Sequence, residues 1–519
     1  MSESVVVIGG GTMGAGIAAL IASRGLPVVV VEPNVGARER LLELHPELSV
    51  LDALPGKIDA TLVIEAIVER LDIKRSVFSE LMAATAPTTI VASNTSSLSI
   101  ADISSGLADP SRIVGLHFFN PPHAMKLIEV VRATHTSDET VARALAFVER
   151  LGKEAIVCAD TPGFVVNRVA RPYYLQAMLA YEAGVASFAQ IDAIARGVGF
   201  RMGPFELMDL IGIDINLATT QSVFERTRAA RLAPVDLQQQ MVDAQTLGRK
   251  SGRGFYLYSE GAPERLDLSD TGSGLPADTR IAILGFDIVA EELAQAFEEK
   301  GFAPQSILND DLIEDIDPET EIVLDCGDGA SDRVEALVML ESALPEHCTL
   351  LVDAYTTDVT ALRERLRAPH RLVGFGLLSG LERQDVVEIV DADDVDENAL
   401  MHAREAFATL GRHTVLVEDR PGLYLGRTVA SIINEAVCVV AEEVASVADV
   451  DRAMLLGTNY PYGPIAWGRQ IGGARIARIL ERLAHAYGSQ FAPHRALWVL
   501  DVDPDGEAHS EMTLGEPVL

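Results

Sequence analysis

A histidine and a glutamate twelve residues apart, His117 and Glu129, are the residues of this 519-residue chain whose types and spacing best suit joint chemistry. His117 closes the apolar run Arg112 to Phe119, and Asn120-Pro121-Pro122 breaks that run, so the ring is expected where a strand emerges into a loop. A second apolar run, Met125 to Val131, carries Glu129. If the runs are neighbouring strands joined by the Pro-Pro loop, the offset brings Glu129 opposite His117. The carboxylate would accept one ring N–H, set the tautomer and favour the imidazolium, leaving the other nitrogen to take a proton. Considered alone, a single histidine near a strand end is more often a partly buried structural residue.

The elements that would position such a pair begin at the N-terminus. Val5 to Ile8 reads as a β-branched strand, and Gly9-Gly10-Gly11-Thr12-Met13-Gly14 opens a helix that continues through Ala15 to Ala22. In this pattern Gly9 permits the tight turn, Gly11 lets the backbone approach a pyrophosphate, and Gly14 lets helix pack on strand. The unpaired N–H groups of the helix start would face the phosphates. A second strand, Pro27 to Val31, ends at Glu32, eighteen residues beyond Gly14. An acid there suits ribose hydroxyls and repels a 2′-phosphate, so NAD is expected rather than NADP.

Ala60 to Ile67 reads as a further buried strand, followed by a helix from about Leu71 to Ala83. Glu69 and Lys74 fall at that junction, where strand ends meet ligand in an open α/β sheet, although singly they read as solvated surface charges. Thr89 to Ser93 is the next strand. Asn94-Thr95-Ser96-Ser97 puts short polar groups at its end, equally suited to a turn or a helix cap.

Length predicts several domains, and 48% hydrophobic content with 41 glycines favours alternating strands and helices. A formal charge of −34 argues against nucleic acid or an anionic membrane as partner, and obliges any anionic ligand to rely on local donors. Cys158, Cys326, Cys348 and Cys438 show neither metal-ligand spacing nor a disulfide framework, so they are expected to be reduced core residues. The first strand begins by Ser4 and no apolar run approaches the roughly 20 residues of a membrane span, which leads to the expectation of a cytoplasmic protein.

The motifs resemble those of the L-3-hydroxyacyl-CoA dehydrogenases. The resemblance covers residues 1–258 through the Gly9 to Gly14 turn, Ile64 to Glu69, Ser93 to Leu98, Gly115 to Pro121, Pro162 to Arg168, Met202 to Asp214 and Gly248 to Tyr258. It implies that His117 removes the 3-hydroxyl proton while hydride passes to NAD, that Glu129 is its partner, and that Ser96 and Asn167 contact the substrate oxygen. It also implies that Gly9, Gly11, Thr12, Met13, Gly14, Glu32, Glu69, Lys74, Asn94, Ser96 and Asn120 contact the cofactor. Helix-spaced Val165, Val169, Tyr173, Ala177 and Ala180 suggest a helical second domain, which the family uses to dimerise and to close over substrate. Gly203-Pro204-Phe205-Glu206 is read as a plain helix start.

One family feature is missing: only 28 residues, Pro33 to Ala60, separate Glu32 from the next strand, too few for the helical hairpin that grips CoA. An acyl-CoA substrate remains the leading expectation, with a free hydroxy acid as the second reading and a catalytically vestigial nucleotide-binding scaffold as the third. The pattern then returns in degenerate form. Residues 1–160 are expected to form a Rossmann-like domain, 161–258 a helical domain, 259–279 a linker, 280–418 a degenerate Rossmann-like domain and 419–519 a second helical domain. Asp287 and Ala290 replace Gly11 and Gly14, Gly376 replaces His117, Gly426 replaces Asn167, and Glu388 keeps the twelve-residue offset. The second half is therefore read as scaffold that has lost the site. The fused arrangement resembles phenylacetate-pathway members and points to a short or dicarboxylic acyl chain, with pairing through the helical domains either between chains or as an intramolecular pseudo-dimer.

Overall fold

Short β-branched runs such as Val5-Val6-Val7-Ile8 suit strands buried on both faces, and they alternate with alanine- and leucine-rich helices. The computed structural model describes residues 4–258, 265–268, 272–285, 288–307, 316–327, 331–392 and 394–501. The chain forms two compact units, the first comprising the chain through Ala170 with Thr219–Arg228 and Val439–Gly463.

The first unit is built on eight strands, β1 (Val5–Ile8), β2 (Val28–Val31), β3 (Ser49–Leu51), β4 (Leu62–Glu65), β5 (Ile90–Ser93), β6 (Ile113–Phe118), β7 (Leu127–Arg132) and β8 (Glu154–Ala159). Their order is β3-β2-β1-β4-β5-β6-β7-β8. All neighbours run parallel except β6 and β7, which the Pro-Pro loop joins as an antiparallel pair. Val7, Ile64, Ala92, Leu116 and Val130 share one core beneath the helices. The helices Thr12–Ser23 and Leu71–Ala84 lie close to expectation. Between β2 and β4 the chain makes the helix Val35–Leu44 and the short edge strand β3, which the sequence reading did not anticipate, and no helical hairpin.

The second unit repeats this plan with β9 (Ile281–Leu284), β10 (Gln305–Ile307), β11 (Ile322–Asp325), β12 (Thr349–Asp353), β13 (Leu372–Gly376), β14 (Val386–Asp391) and β15 (His413–Glu418), ordered β10-β9-β11-β12-β13-β14-β15. Again a single neighbouring pair, β13 and β14, is antiparallel. A counterpart of β3 is not found among the described residues.

Helices come from both halves, and the helix-spaced run Val165 to Ala180 is divided between two helices. Phe164 has φ 49°, a short helix spans Val166–Val169, and a longer one, Arg171–Glu182, starts with Pro172 in its first turn, where a missing N–H costs nothing. Val165, Val169, Tyr173, Ala177 and Ala180 are all buried, as their spacing requires. The compact units cut across the boundaries expected from sequence. In the first unit the helix Val447–Gly457 packs on β7 and β8, Ala159 N donates to Val444 O at 2.8 Å, and Arg168 forms a two-pronged pair with Glu442 at 2.6 and 2.8 Å. In the second unit the helix Phe188–Gly197 packs on β14, and Glu418 N donates to Val185 O at 2.8 Å. The four cysteines are buried free thiols. Among the described residues no helix is long and apolar enough to cross a membrane.

Candidate active site

The antiparallel register of β6 and β7 pairs His117 directly with Glu129. Residues directly opposite in such a ladder point to the same face, so the two side chains meet. The His117 Nδ1 lies 2.6 Å from Glu129 Oε2, with His117 5% exposed and Glu129 fully buried. The second carboxylate oxygen, Oε1, accepts from Val165 N at 3.1 Å and Val166 N at 3.0 Å. Glu129 is thus held from both sides and cannot swing away from the imidazole. The rings of Phe119 and Phe164 flank His117 at centroid distances of 4.6 and 5.7 Å. A carboxylate on Nδ1 fixes the proton there and leaves Nε2 as the proton acceptor.

At the ends of β1 and β2 the glycine turn takes the form expected of a dinucleotide cradle. Gly9 has φ 104°, and a Cβ there would stand 2.6 Å from the Ala66 carbonyl oxygen. A Cβ on Gly14 would come within 1.9 Å of Gly9 O, so any side chain would push the helix off the strand. In front of Gly11 there is open space, with nothing within 4 Å of a Cβ. Thr12 and Met13 begin the helix, and no side chain caps its start. Open space before uncapped N–H groups is what a pyrophosphate needs. Glu32 accepts from Gly10 N at 2.7 Å and Asn34 N at 2.8 Å, which holds its carboxylate beside the turn. These residues fit NAD.

Lys74 is not the solvated charge that it suggests alone, whereas Glu69 keeps the exposed side chain expected of it and is nonetheless engaged. Lys74 is 1% exposed, and its ammonium lies 2.5 Å from the fully buried Glu65 and 3.2 Å from Glu69. Glu65 also accepts from Ser93 Oγ at 2.7 Å and from Ile67 N at 2.5 Å. Glu69 in turn accepts from Thr95 Oγ1 at 2.6 Å, Ser96 N at 3.2 Å, and Ser97 N and Oγ at 3.1 and 2.8 Å. The flanking ammonium and these donors outweigh burial and hold the Glu69 carboxyl below its ordinary range. The network pins the polar loop after β5, leaving Ser96 itself exposed. Sequence reasoning missed Glu65, although an acid ending an otherwise apolar strand was a legible signal. Asn94 Oδ1 accepts from Phe118 N at 2.8 Å and so ties that loop to the residue after His117. Asn120 is exposed on the Pro-Pro loop, and Asn167 is half-buried on the short helix following Phe164.

The second unit has the same frame with its opening filled. Gly376 pairs with Glu388 as His117 pairs with Glu129. Glu388 accepts from Tyr424 N at 2.8 Å and Leu425 N at 3.1 Å, and from Tyr355 Oη at 2.7 Å. The Tyr355 ring occupies the space of the lost side chains, since a Cβ on Gly376 or Gly426 would lie 2.6 or 2.7 Å from it. Asp287 lies outside the described residues, and Ala290 sits in the helix Ile288–Glu299. Burial pushes the Glu388 carboxyl up to about 7 despite its three donors, and Asp192 is likewise pushed up to about 7. A carboxyl raised on folding stabilises the protein fully below its unfolded pKa, and that contribution is lost as pH rises through about 7. For Glu388 the loss is on the order of 3 kcal/mol. The melting temperature should therefore fall between about pH 5 and pH 8, and Glu388→Gln should flatten that slope; equal slopes for the two proteins would refute the assignment.

Comparison with known proteins places this geometry in context. The family model described as 3-hydroxyacyl-CoA dehydrogenase, NAD binding domain, matches residues 4–53 and 44–161, and the corresponding C-terminal domain model matches residues 163–258 and again 422–508. The chain is 35% identical over 512 residues to a 3-hydroxyadipyl-CoA dehydrogenase of Escherichia coli, covering 94% of this chain and 95% of that protein. It is 37% identical over 287 residues to a 3-hydroxybutyryl-CoA dehydrogenase of Mycobacterium tuberculosis, covering 49% of this chain and 98% of that one. The crystal structure of an Escherichia coli 3-hydroxybutyryl-CoA dehydrogenase superposes with a TM-score of 0.76 at 34% identity, covering 96% of this chain and 98% of that one.

Proposed function

Because the chain belongs to the 3-hydroxyacyl-CoA dehydrogenase family, we propose that it oxidises an L-3-hydroxyacyl-CoA to the 3-oxoacyl-CoA with NAD, using His117 as general base and Glu129 as its orienting partner. The observation that carries this reading is the buried 2.6 Å contact between His117 Nδ1 and Glu129 Oε2. His117 Nε2 takes the proton of the 3-hydroxyl, and the C3–H bond breaks as the C3=O bond forms. NAD, when bound, supplies the hydride acceptor. Glu129 stabilises the imidazolium produced, and its anchoring by Val165 N and Val166 N keeps the ring aimed. Ser96 and Asn167 are assigned to the substrate oxygen. The Gly9 to Gly14 turn, Glu32, Asn94 and Asn120 are assigned to the cofactor. Glu69 and Lys74 act on the cofactor side by holding the Thr95 to Ser97 loop.

A short or dicarboxylic acyl chain is the substrate class we favour, in keeping with the relative named for 3-hydroxyadipyl-CoA. A free hydroxy acid is the second reading, supported by the single helix and edge strand between β2 and β4. The rate of NADH oxidation with acetoacetyl-CoA, measured beside free acetoacetate, separates them. Turnover of the thioester alone is expected. Turnover of the free acid alone would make the missing hairpin decisive, and failure with these and with longer or carboxylated acyl-CoA would leave a nucleotide-binding scaffold.

Helix exchange supports pairing within one chain: a helix of the second half covers β7 and β8 of the first unit, and a helix of the first half covers β14 of the second. Sedimentation should give the mass of one chain; a stable dimer would count against the intramolecular pseudo-dimer. A cytoplasmic setting accords with the acidic composition and with this substrate class.

A further inference from the structure

In the first unit the C-terminal end of the helix Ile213–Thr227 touches both the turn at Gly163 and the polar loop after β5. Val223 packs on the turn at Gly163, where a Cβ would come within 2.8 Å of Val223 Cγ2. The next residue of that turn, Phe164, carries the ring that flanks His117. One helical turn beyond Val223, Arg226 Nη1 donates to Ser97 O at 2.5 Å. Ser97 follows Ser96, the exposed serine assigned to the substrate oxygen, at a spacing of about 3.8 Å between α-carbons. The guanidinium is thus tied to the backbone of the loop that carries Ser96. Its Nη2 makes a loose ion pair with the exposed Asp102 at 3.9 Å, longer than a hydrogen bond, and the side chain is 30% exposed. A guanidinium presents five donors in a rigid fork, and here only one of the described contacts is a hydrogen bond, so a carboxylate of the substrate would compete with the exposed Asp102 for the rest. In a chain of net charge −34, a cation so placed is a local exception to the field that an anionic substrate meets.

We propose that Arg226 is a specificity-determining residue that binds a carboxylate at the far end of the acyl chain, so that the enzyme prefers dicarboxylic over monocarboxylic 3-hydroxyacyl thioesters. The proposal rests on the dehydrogenase reading above and adds to it the residue that selects the substrate. Reach favours the acyl carboxylate over the CoA phosphates. A terminal carboxylate a few carbons beyond C3 lies at the scale of one residue from Ser96, whereas the phosphates lie beyond the whole pantetheine arm. Charge-assisted pairing with a carboxylate is roughly twice as strong as a neutral hydrogen bond, and its geometry favours arginine over lysine.

The test compares kcat/KM for 3-hydroxyadipyl-CoA with that for 3-hydroxyhexanoyl-CoA, two thioesters of equal chain length that differ in the terminal carboxylate, in the wild type and in Arg226→Gln and Arg226→Lys. The wild type should favour the dicarboxylate. Arg226→Gln should lower the ratio of the two values about tenfold or more, and Arg226→Lys should recover part of it. A ratio unmoved by Arg226→Gln, with both substrates losing equally, would overturn the proposal and leave Arg226 as a brace for the Ser97 carbonyl. If the variant instead loses CoA thioesters relative to pantetheine thioesters of the same acyl group, the guanidinium reads a phosphate and the carboxylate assignment falls. A wild-type protein inert toward both substrates with NAD would overturn the dehydrogenase reading and this one with it.

Discussion

His117→Ala should lower kcat by about 10²- to 10⁴-fold while NADH still binds, because the change removes the proposed base and leaves untouched the glycine turn proposed to cradle the cofactor. The proposed dinucleotide site lies at the ends of β1 and β2, whereas His117 sits on β6, across β4 and β5 in the same sheet. Glu129→Gln should produce a loss of the same kind for a different reason. A glutamine keeps one oxygen for Val165 N and Val166 N but turns its NH₂ toward His117 Nδ1, which must then accept. The ring is forced into the tautomer that protonates Nε2, and the base is silenced without being removed. Pre-steady-state hydride transfer and NADH titration, run side by side, check both variants. Unchanged turnover in His117→Ala would rule out the general-base assignment.

Lys74→Met should be strongly destabilising, costing about 3–5 kcal/mol. Its ammonium is the shared counter-charge of Glu65 and Glu69, and Glu65 is fully buried, so truncation strands a carboxylate in a dry site. Glu69 would lose its cation as well, loosening its grip on Thr95 to Ser97, and activity should fall along with stability. Glu65→Gln in the Lys74→Met background should recover much of the loss, because the uncompensated charge is then gone. Denaturant midpoints for the two variants decide the matter, and a loss below about 1 kcal/mol would place the pair among the weak surface bridges. The second unit keeps a counterpart: Arg333 donates from Nε to Asp325 at 2.7 Å at the end of β11.

Much of this was open to reading residue by residue. The His117–Glu129 register followed from two apolar runs on either side of a Pro-Pro break, because the interval across a hairpin is short and the partners share one ladder. The glycine turn, Glu32 and the degenerate repeat were legible for the same reason: each is a local pattern. The partners of Lys74 were not. A lysine in the first turn of a helix looks solvated until the strand beneath it, nine residues earlier, is seen to end in a buried acid. Arg226 gave no signal, since its link to Ser97 spans 129 residues.

The sequence by itself therefore determined the groups on offer: a glycine turn of dinucleotide type, a histidine paired with a glutamate, and a second copy in which glycine stands in place of that histidine. Tertiary structure decided what surrounds them. It placed Tyr355, 33 residues before Glu388, in the space left by two glycines, turning a lost site into packed core. It gave β7 and β8 a covering helix from residues 447–457, and β14 one from residues 188–197. Strand pairing and capping are set by neighbours a few residues apart, whose pattern is written in the chain. Which apolar face covers which sheet is decided by the burial it gains, and elements hundreds of residues apart leave no periodic trace of that competition.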